Sequence, residues 1–163
     1  MKFKVFSRIE FEEFIPHEPF IAISITDPNS EIVQPQNPPH AILSLEFHDA
    51  DKRCKREDCK MCAGTGKIER FKDINNGNCY SCSDQMVVNL FTEKDAENIL
   101  DFVAVYKDFV DLIVVHCEVG ISRSAGVTAA LSFILNGTDQ YYFDNYIPNM
   151  LCYRKILNAH YNS

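Results

Sequence analysis

A chain of 163 residues suits one domain with a small appendage. At 46% hydrophobic and 24% charged, with 6 Gly and 7 Pro, it is excluded from the disordered, collagen-like and low-complexity classes. Its 16 Lys and Arg against 23 Asp and Glu, a net charge of −7, argue against bulk attraction to nucleic acid or an anionic membrane.

Residues 2–9 have strand character and lead into an acidic amphipathic stretch, 10–14, stopped by Pro16. Phe20–Thr26 (FIAISIT) is β-branched and bounded by Pro19 and Asp27-Pro28, which predicts a buried strand ending in a turn. Asp27 is read there as a structural turn residue. Residues 29–39, with three prolines, read as loop, and 41–48 (AILSLEFH) as a second strand of the same kind.

The composition then changes. Between Lys52 and Lys72 eight basic residues face three acidic ones, so that stretch is +5 and the rest of the chain −12. Five of the seven cysteines also fall between Cys54 and Cys82. A segment so poor in apolar residues has no core of its own and needs a staple. Cys59-x-x-Cys62 and Cys79-x-x-Cys82, sixteen residues apart, have the paired spacing of a tetrahedral zinc site. Residues 51–83 are therefore expected to be an insertion holding one structural zinc ion, with Cys54 left over. The odd cysteine count fits a metal site plus a separate thiol better than a disulfide framework.

Beyond the insertion, Thr92 is a candidate N-cap with Asp95 at the third helical position. Ile99, Val103, Tyr106 and Val110 recur at helical spacing and form one apolar face. Residues 112–115 (LIVV) suit a central parallel strand. A small-residue helix over 123–135 is ended by Gly137, and an aromatic stretch, 141–146, leads through Pro148 into a last helix over 149–160. Strands alternating with helices predict an α/β domain over 1–163, a mostly parallel central sheet flanked by helices on both faces. No apolar run approaches the roughly 20 residues of a membrane span, and no signal-like stretch follows Met1. The expected protein is cytoplasmic and monomeric, without membrane or nucleic-acid partners.

The segment His116-Cys117-Glu118-Val119-Gly120-Ile121-Ser122-Arg123-Ser124 joins the apolar strand to the small-residue helix. A loop at the C-terminal edge of a parallel strand, running into a helix N-terminus, makes an anion cradle from its own amides. A thiolate on its floor is a nucleophile aimed at a docked phosphate, and the planar fork of Arg123 suits two phosphoryl oxygens. Gly120 lets the loop bend and the backbone approach a ligand.

Cys followed after five residues by Arg, with His before and Ser after, resembles the signature of the cysteine-dependent protein tyrosine phosphatases. The form HCxxGxSRSA at 116–125 is most similar to the dual-specificity branch. The resemblance implies that branch's α/β fold and a phosphocysteine formed on Cys117. It also implies a phosphate site built by Arg123 with the amides of Glu118, Val119, Gly120, Ile121 and Ser122. Ser124 would assist departure of the sulfur, and His116 would orient the loop. The family's general acid is an aspartate just past an earlier strand, which points to Asp49, with Asp51 the alternative. His48 reads as an ordinary strand-end histidine, with tuning of Asp49 as the alternative. No catalytic metal is implied. The loop has no lysine of the phosphoinositide-directed kind and reads Ser-Arg-Ser where RNA 5′-triphosphatase relatives read Asn-Arg-Thr, so the expected substrate is a phosphorylated protein: phosphotyrosine, with phosphoserine and phosphothreonine beside it. The alternative is a catalytically degenerate zinc module that binds phosphate or nucleic acid.

Overall fold

Two runs without a charged side chain other than a terminal histidine, FIAISIT and LIVVH, become the inner strands of the sheet. The computed structural model describes residues 1–50, 62, 65, 67, 79 and 89–163. Among these the elements run β1 (Lys2–Phe6), α1 (Arg8–Glu12), β2 (Phe20–Thr26), β3 (Ala41–Glu46), α2 (Glu93–Tyr106), β4 (Leu112–His116), α3 (Arg123–Asn136), α4 (Gln140–Asn145) and α5 (Met150–Tyr161). The sheet has the order β1-β4-β2-β3, and every pairing is parallel. Every residue of β2 and β4 is buried, as expected of strands covered on both faces.

β3 differs from the expectation. It is an edge strand, with Ile42, Ser44 and Glu46 exposed and Leu45 buried, and it ends at Glu46 instead of running to residue 48. Phe47 still donates its N–H to the Thr26 carbonyl, but His48 turns away. His48 and Asn89, 41 residues apart, exchange two bonds: the His48 N–H to the Asn89 carbonyl at 2.8 Å, and the Asn89 N–H to His48 Nδ1 at 3.0 Å. Nδ1 is thus engaged at the strand end, in keeping with the reading of His48 as a strand-end histidine.

The two faces of the sheet are covered unequally. Ile21, Ile23, Ile25, Ile113 and Val115 meet α2, α3 and α5 in the main core. On the opposite face, Phe20, Ala22, Leu112 and Val114 meet, among the described residues, Phe11 of α1 and Phe14 and Val33 of the following loop, with Phe6 of β1 beside them. Helices on both faces was therefore right for three helices and a five-residue one. α1 exists because Ser7 and Glu10 cap it reciprocally: the Glu10 N–H donates to Ser7 Oγ, and the Ser7 N–H donates to the Glu10 carboxylate, holding that carboxyl below its usual range. Thr92 and Asp95 cap α2 in the same way, and Gly137 ends α3 at φ 75°. The aromatic stretch proves to contain the short helix α4. Among the described residues no helix is long and apolar enough to cross a membrane.

Candidate active site

The loop between β4 and α3 is shaped by the sheet edge beneath it. The Cys117 N–H donates to the Phe6 carbonyl at the end of β1, and the Arg8 N–H donates to the Glu118 carbonyl. Gly120 sits against that same junction at φ 75°, where an added Cβ would meet Ser7 N at 2.5 Å and the Phe6 carbonyl carbon at 2.7 Å. Only glycine fits both the angle and the gap. The bend turns the Gly120 N–H onto Cys117 Sγ at 3.3 Å. The Ser124 hydroxyl lies 3.2 Å from the same sulfur, and Cys117 is 2% exposed. Cys117 is thus at the floor of the loop, with an amide and a hydroxyl directed at it. Among the described residues, no protein acceptor takes the N–H of Glu118, Val119, Ile121 or Ser122.

Arg123, the first residue of α3, is buried, and its guanidinium is divided between two tasks. Nη1 donates to Asp27 Oδ1 and to the Phe47 carbonyl, both at 2.7 Å. Nε is buried and has no hydrogen-bond partner among the described residues. A buried unpartnered guanidinium N–H costs free energy unless an acceptor meets it. The Nε–Nη2 edge, the one that makes two parallel bonds to an oxyanion, carries neither of the Nη1 bonds. Asp27 was read as a turn residue; it does end β2, but its carboxylate is also the anchor of this arginine. Its position at the carboxyl end of a parallel strand, where such folds gather their site residues, was the signal for it.

His116 is wedged rather than free. Nε2 lies 2.8 Å from Ser24 Oγ, and the ring stacks on Phe11 with centroids 4.2 Å apart. Burial chiefly, with the positive charges of Arg8 and Arg123 added, lowers its pKa to about 4, against an opposing contact with the Cys117 backbone. The imidazole is therefore neutral at pH 7 and holds the strand end through Ser24 and Phe11. Because the unfolded chain takes up this proton near 6.5 and the native one only near 4, the histidine's contribution to stability is complete above pH 6.5. It is lost as pH falls toward 4, at a cost of about 3 kcal/mol. Urea unfolding of wild type and His116→Gln at pH 7 and 4.5 measures this: the wild type should lose more stability between the two pH values. Equal losses would refute it.

Asp49 stands just beyond β3, and its Oδ1 accepts from Ser122 Oγ at 2.8 Å and from Asn149 Nδ2 at 3.0 Å. The structure thereby brings Asp49 to the rim of the loop, across 73 residues of sequence. Asp51 lies outside the described residues. Glu118 points its side chain outward to Arg8, 3.3 Å away, so it serves the loop through its backbone. Val119 and Ile121 of the loop are exposed, as is Ile147, whose N–H donates to the Ile121 carbonyl. The sequence reading missed Asn149, although an Asn after Pro148 at the start of an apolar helical run is an N-cap signal. It missed Ser24 as well, for which no local pattern exists.

Of the expected metal ligands, Cys62 and Cys79 are described, and both are buried. Cys62 opens a turn in which the Thr65 N–H and hydroxyl both donate to its carbonyl, at 3.0 and 2.7 Å. Cys54, Cys59 and Cys82 lie outside the described residues.

No protein-family model matches the chain, and no curated protein matches it. Among solved structures, the human tyrosine phosphatase-like serine/threonine/tyrosine-interacting protein is similar with a TM-score of 0.50 and 16% identity, over 89% of this chain and 80% of that one. A mouse candidate dual specificity phosphatase complexed with zinc tungstate is similar with a TM-score of 0.47 and 14% identity, over 87% and 70%. On the first of these likenesses, the fold is that of a tyrosine phosphatase-like protein.

Proposed function

We propose that this chain is a cysteine-dependent protein phosphatase, hydrolysing phosphotyrosine first and phosphoserine or phosphothreonine second. One observation carries the reading. Arg123 has one nitrogen locked to Asp27 and Phe47 and a second, Nε, buried without a protein partner, in the loop whose floor is Cys117. A phosphoryl group seated on that arginine edge and on the loop amides would place its phosphorus over the sulfur. The exposed apolar side chains of Val119, Ile121 and Ile147 suit the ring of a phosphotyrosine beside them.

In the first step the Cys117 thiolate attacks phosphorus, the bond to the leaving oxygen breaks, and Asp49 Oδ2 gives that oxygen its proton. Arg123 and the loop amides take up the charge spread over the three equatorial oxygens. In the second step water attacks the phosphocysteine, Asp49 receives the water's proton, and the departing sulfur accepts a hydrogen bond from Ser124. His116, neutral and wedged, orients the loop and transfers no proton.

Incubation with phosphotyrosyl and phosphoseryl forms of one peptide, and with p-nitrophenyl phosphate, tests this. Phosphate release is expected from all three, fastest per encounter from the phosphotyrosyl peptide. No release from any, with the peptide retained, would identify a phosphate-binding module instead.

Cys59, Cys62, Cys79 and Cys82 are read as ligands of one structural zinc ion. The four thiols in paired spacing and the burial of Cys62 and Cys79 in a segment without a core of its own support this. Zinc would tie the insertion together, and no step of the reaction passes through it. Elemental analysis of the folded protein should give about one zinc per chain; an active, folded, metal-free preparation would dismiss it.

A further inference from the structure

Cys117 and Asp49 reach the site from different parts of the chain, and a third segment joins them. Asn149 is buried and caps α5, its Oδ1 accepting from the N–H groups of Leu151 and Cys152 at 3.0 and 3.1 Å. Its own N–H donates to the Ser122 carbonyl at 3.0 Å. Its backbone also presses on α3 at Gly126, where an added Cβ would lie 2.5 Å from the Asn149 carbonyl oxygen. With Oδ1 committed to the cap, the amide has one orientation, and in it Nδ2 donates to Asp49 Oδ1 at 3.0 Å. That oxygen also receives the Ser122 hydroxyl, at 2.8 Å. Asp49 itself is exposed and follows the end of a strand, so these two bonds hold its rotamer. With Oδ1 doubly occupied, Oδ2 is the oxygen left to carry a proton.

Resting on the reading of Asp49 as the general acid, we infer that Asn149 is its positioning residue, coupling the cap of α5 to the orientation of the acid over the loop. Asn149→Ser and Asn149→Asp both keep a capping oxygen and remove the amide donor, so both keep α5 capped. With phenyl phosphate or a phosphotyrosyl peptide, whose leaving phenol has a pKa of about 10, kcat should fall about tenfold or more in each variant while KM and Tm stay near wild type. With 2,4-dinitrophenyl phosphate, whose phenolate leaves without a proton, kcat/KM, which reports formation of the phosphocysteine and not its hydrolysis, should not change. The Asn149→Asp loss should be the larger, because it sets a second carboxylate against Asp49. Asp49→Asn gives the scale, losing on the order of 10²- to 10⁴-fold in kcat/KM with the poor leaving groups only. Equal losses on both classes of substrate, or none on either, with Asp49→Asn still selective, would overturn the role of Asn149 and leave the acid in place. An unselective Asp49→Asn would overturn the acid and the positioning residue together.

Discussion

Cys117→Ser should leave the protein folded and able to bind phosphate, with turnover reduced on the order of 10⁵-fold or more. The exchange of sulfur for oxygen is nearly isosteric, and nothing else in the cradle moves with it. The Gly120 N–H and the Ser124 hydroxyl would still meet the new Oγ, and Arg123 would keep its bonds to Asp27 and Phe47. What changes is the atom that must attack. An alcohol keeps its proton at neutral pH, and among the described residues no base stands ready to remove it: His116 is 1% exposed and bonded to Ser24, while Asp49 stands on the leaving-group side in the proposed cycle. Steady-state release from a phosphotyrosyl peptide, set beside equilibrium binding of the same peptide, separates the two quantities. Binding within a few-fold of wild type with turnover gone supports the phosphocysteine route. Turnover within tenfold of wild type would remove Cys117 as nucleophile.

Arg123→Lys should cost on the order of 10³- to 10⁴-fold in kcat/KM, far more than a conservative change of charge suggests. The guanidinium does two things at once that an ammonium does singly. Nη1 satisfies a carboxylate and a carbonyl, each at 2.7 Å, and the opposite edge is left for a phosphoryl group. A lysine at the same place has one nitrogen to share. If it stays with Asp27 and the Phe47 carbonyl, the phosphate loses its planar partner; if it turns to the phosphate, two buried or half-buried acceptors lose theirs. Both kcat and KM should worsen, because the contact is made in the bound state and strengthens as charge spreads in the transition state. Orthovanadate binding should weaken in parallel. A lysine variant within tenfold of wild type would show that Arg123 is structural.

The readable part of this protein was local. FIAISIT declared a doubly covered strand because seven successive residues suited to strands have no charge to expose, and β2 has those same limits. Thr92 with Asp95, and Gly137 at a left-handed position, marked helix ends by side-chain chemistry that acts over three or four residues. β3 was read two residues too long because Phe47 and His48 continue the apolar alternation, whereas Phe47 packs against Phe91 and His48 pairs with Asn89. The same cause hid α4: aromatic density indicates packing, and Tyr142 is buried, but it does not say whether the backbone that carries it is helical.

The loop over 116–124 could be read along the chain, because nine consecutive residues carry its strand end, its bend, its sulfur and its arginine, and contacts that short are written in order. Only the tertiary structure decided what that loop is bonded to. Asp27, Ser24, Asp49 and Asn149 lie 96, 92, 73 and 27 residues from their partners Arg123, His116 and Ser122, or, for Asn149, from the loop carbonyl it binds. Each looks from its own neighbours like a turn, strand or cap residue. They become a site because parallel strands deliver all their carboxyl ends to one edge of the sheet, and a right choice of partner there depends on strand order and on how α5 returns across α3, neither of which a periodicity of two or 3.6 residues can encode.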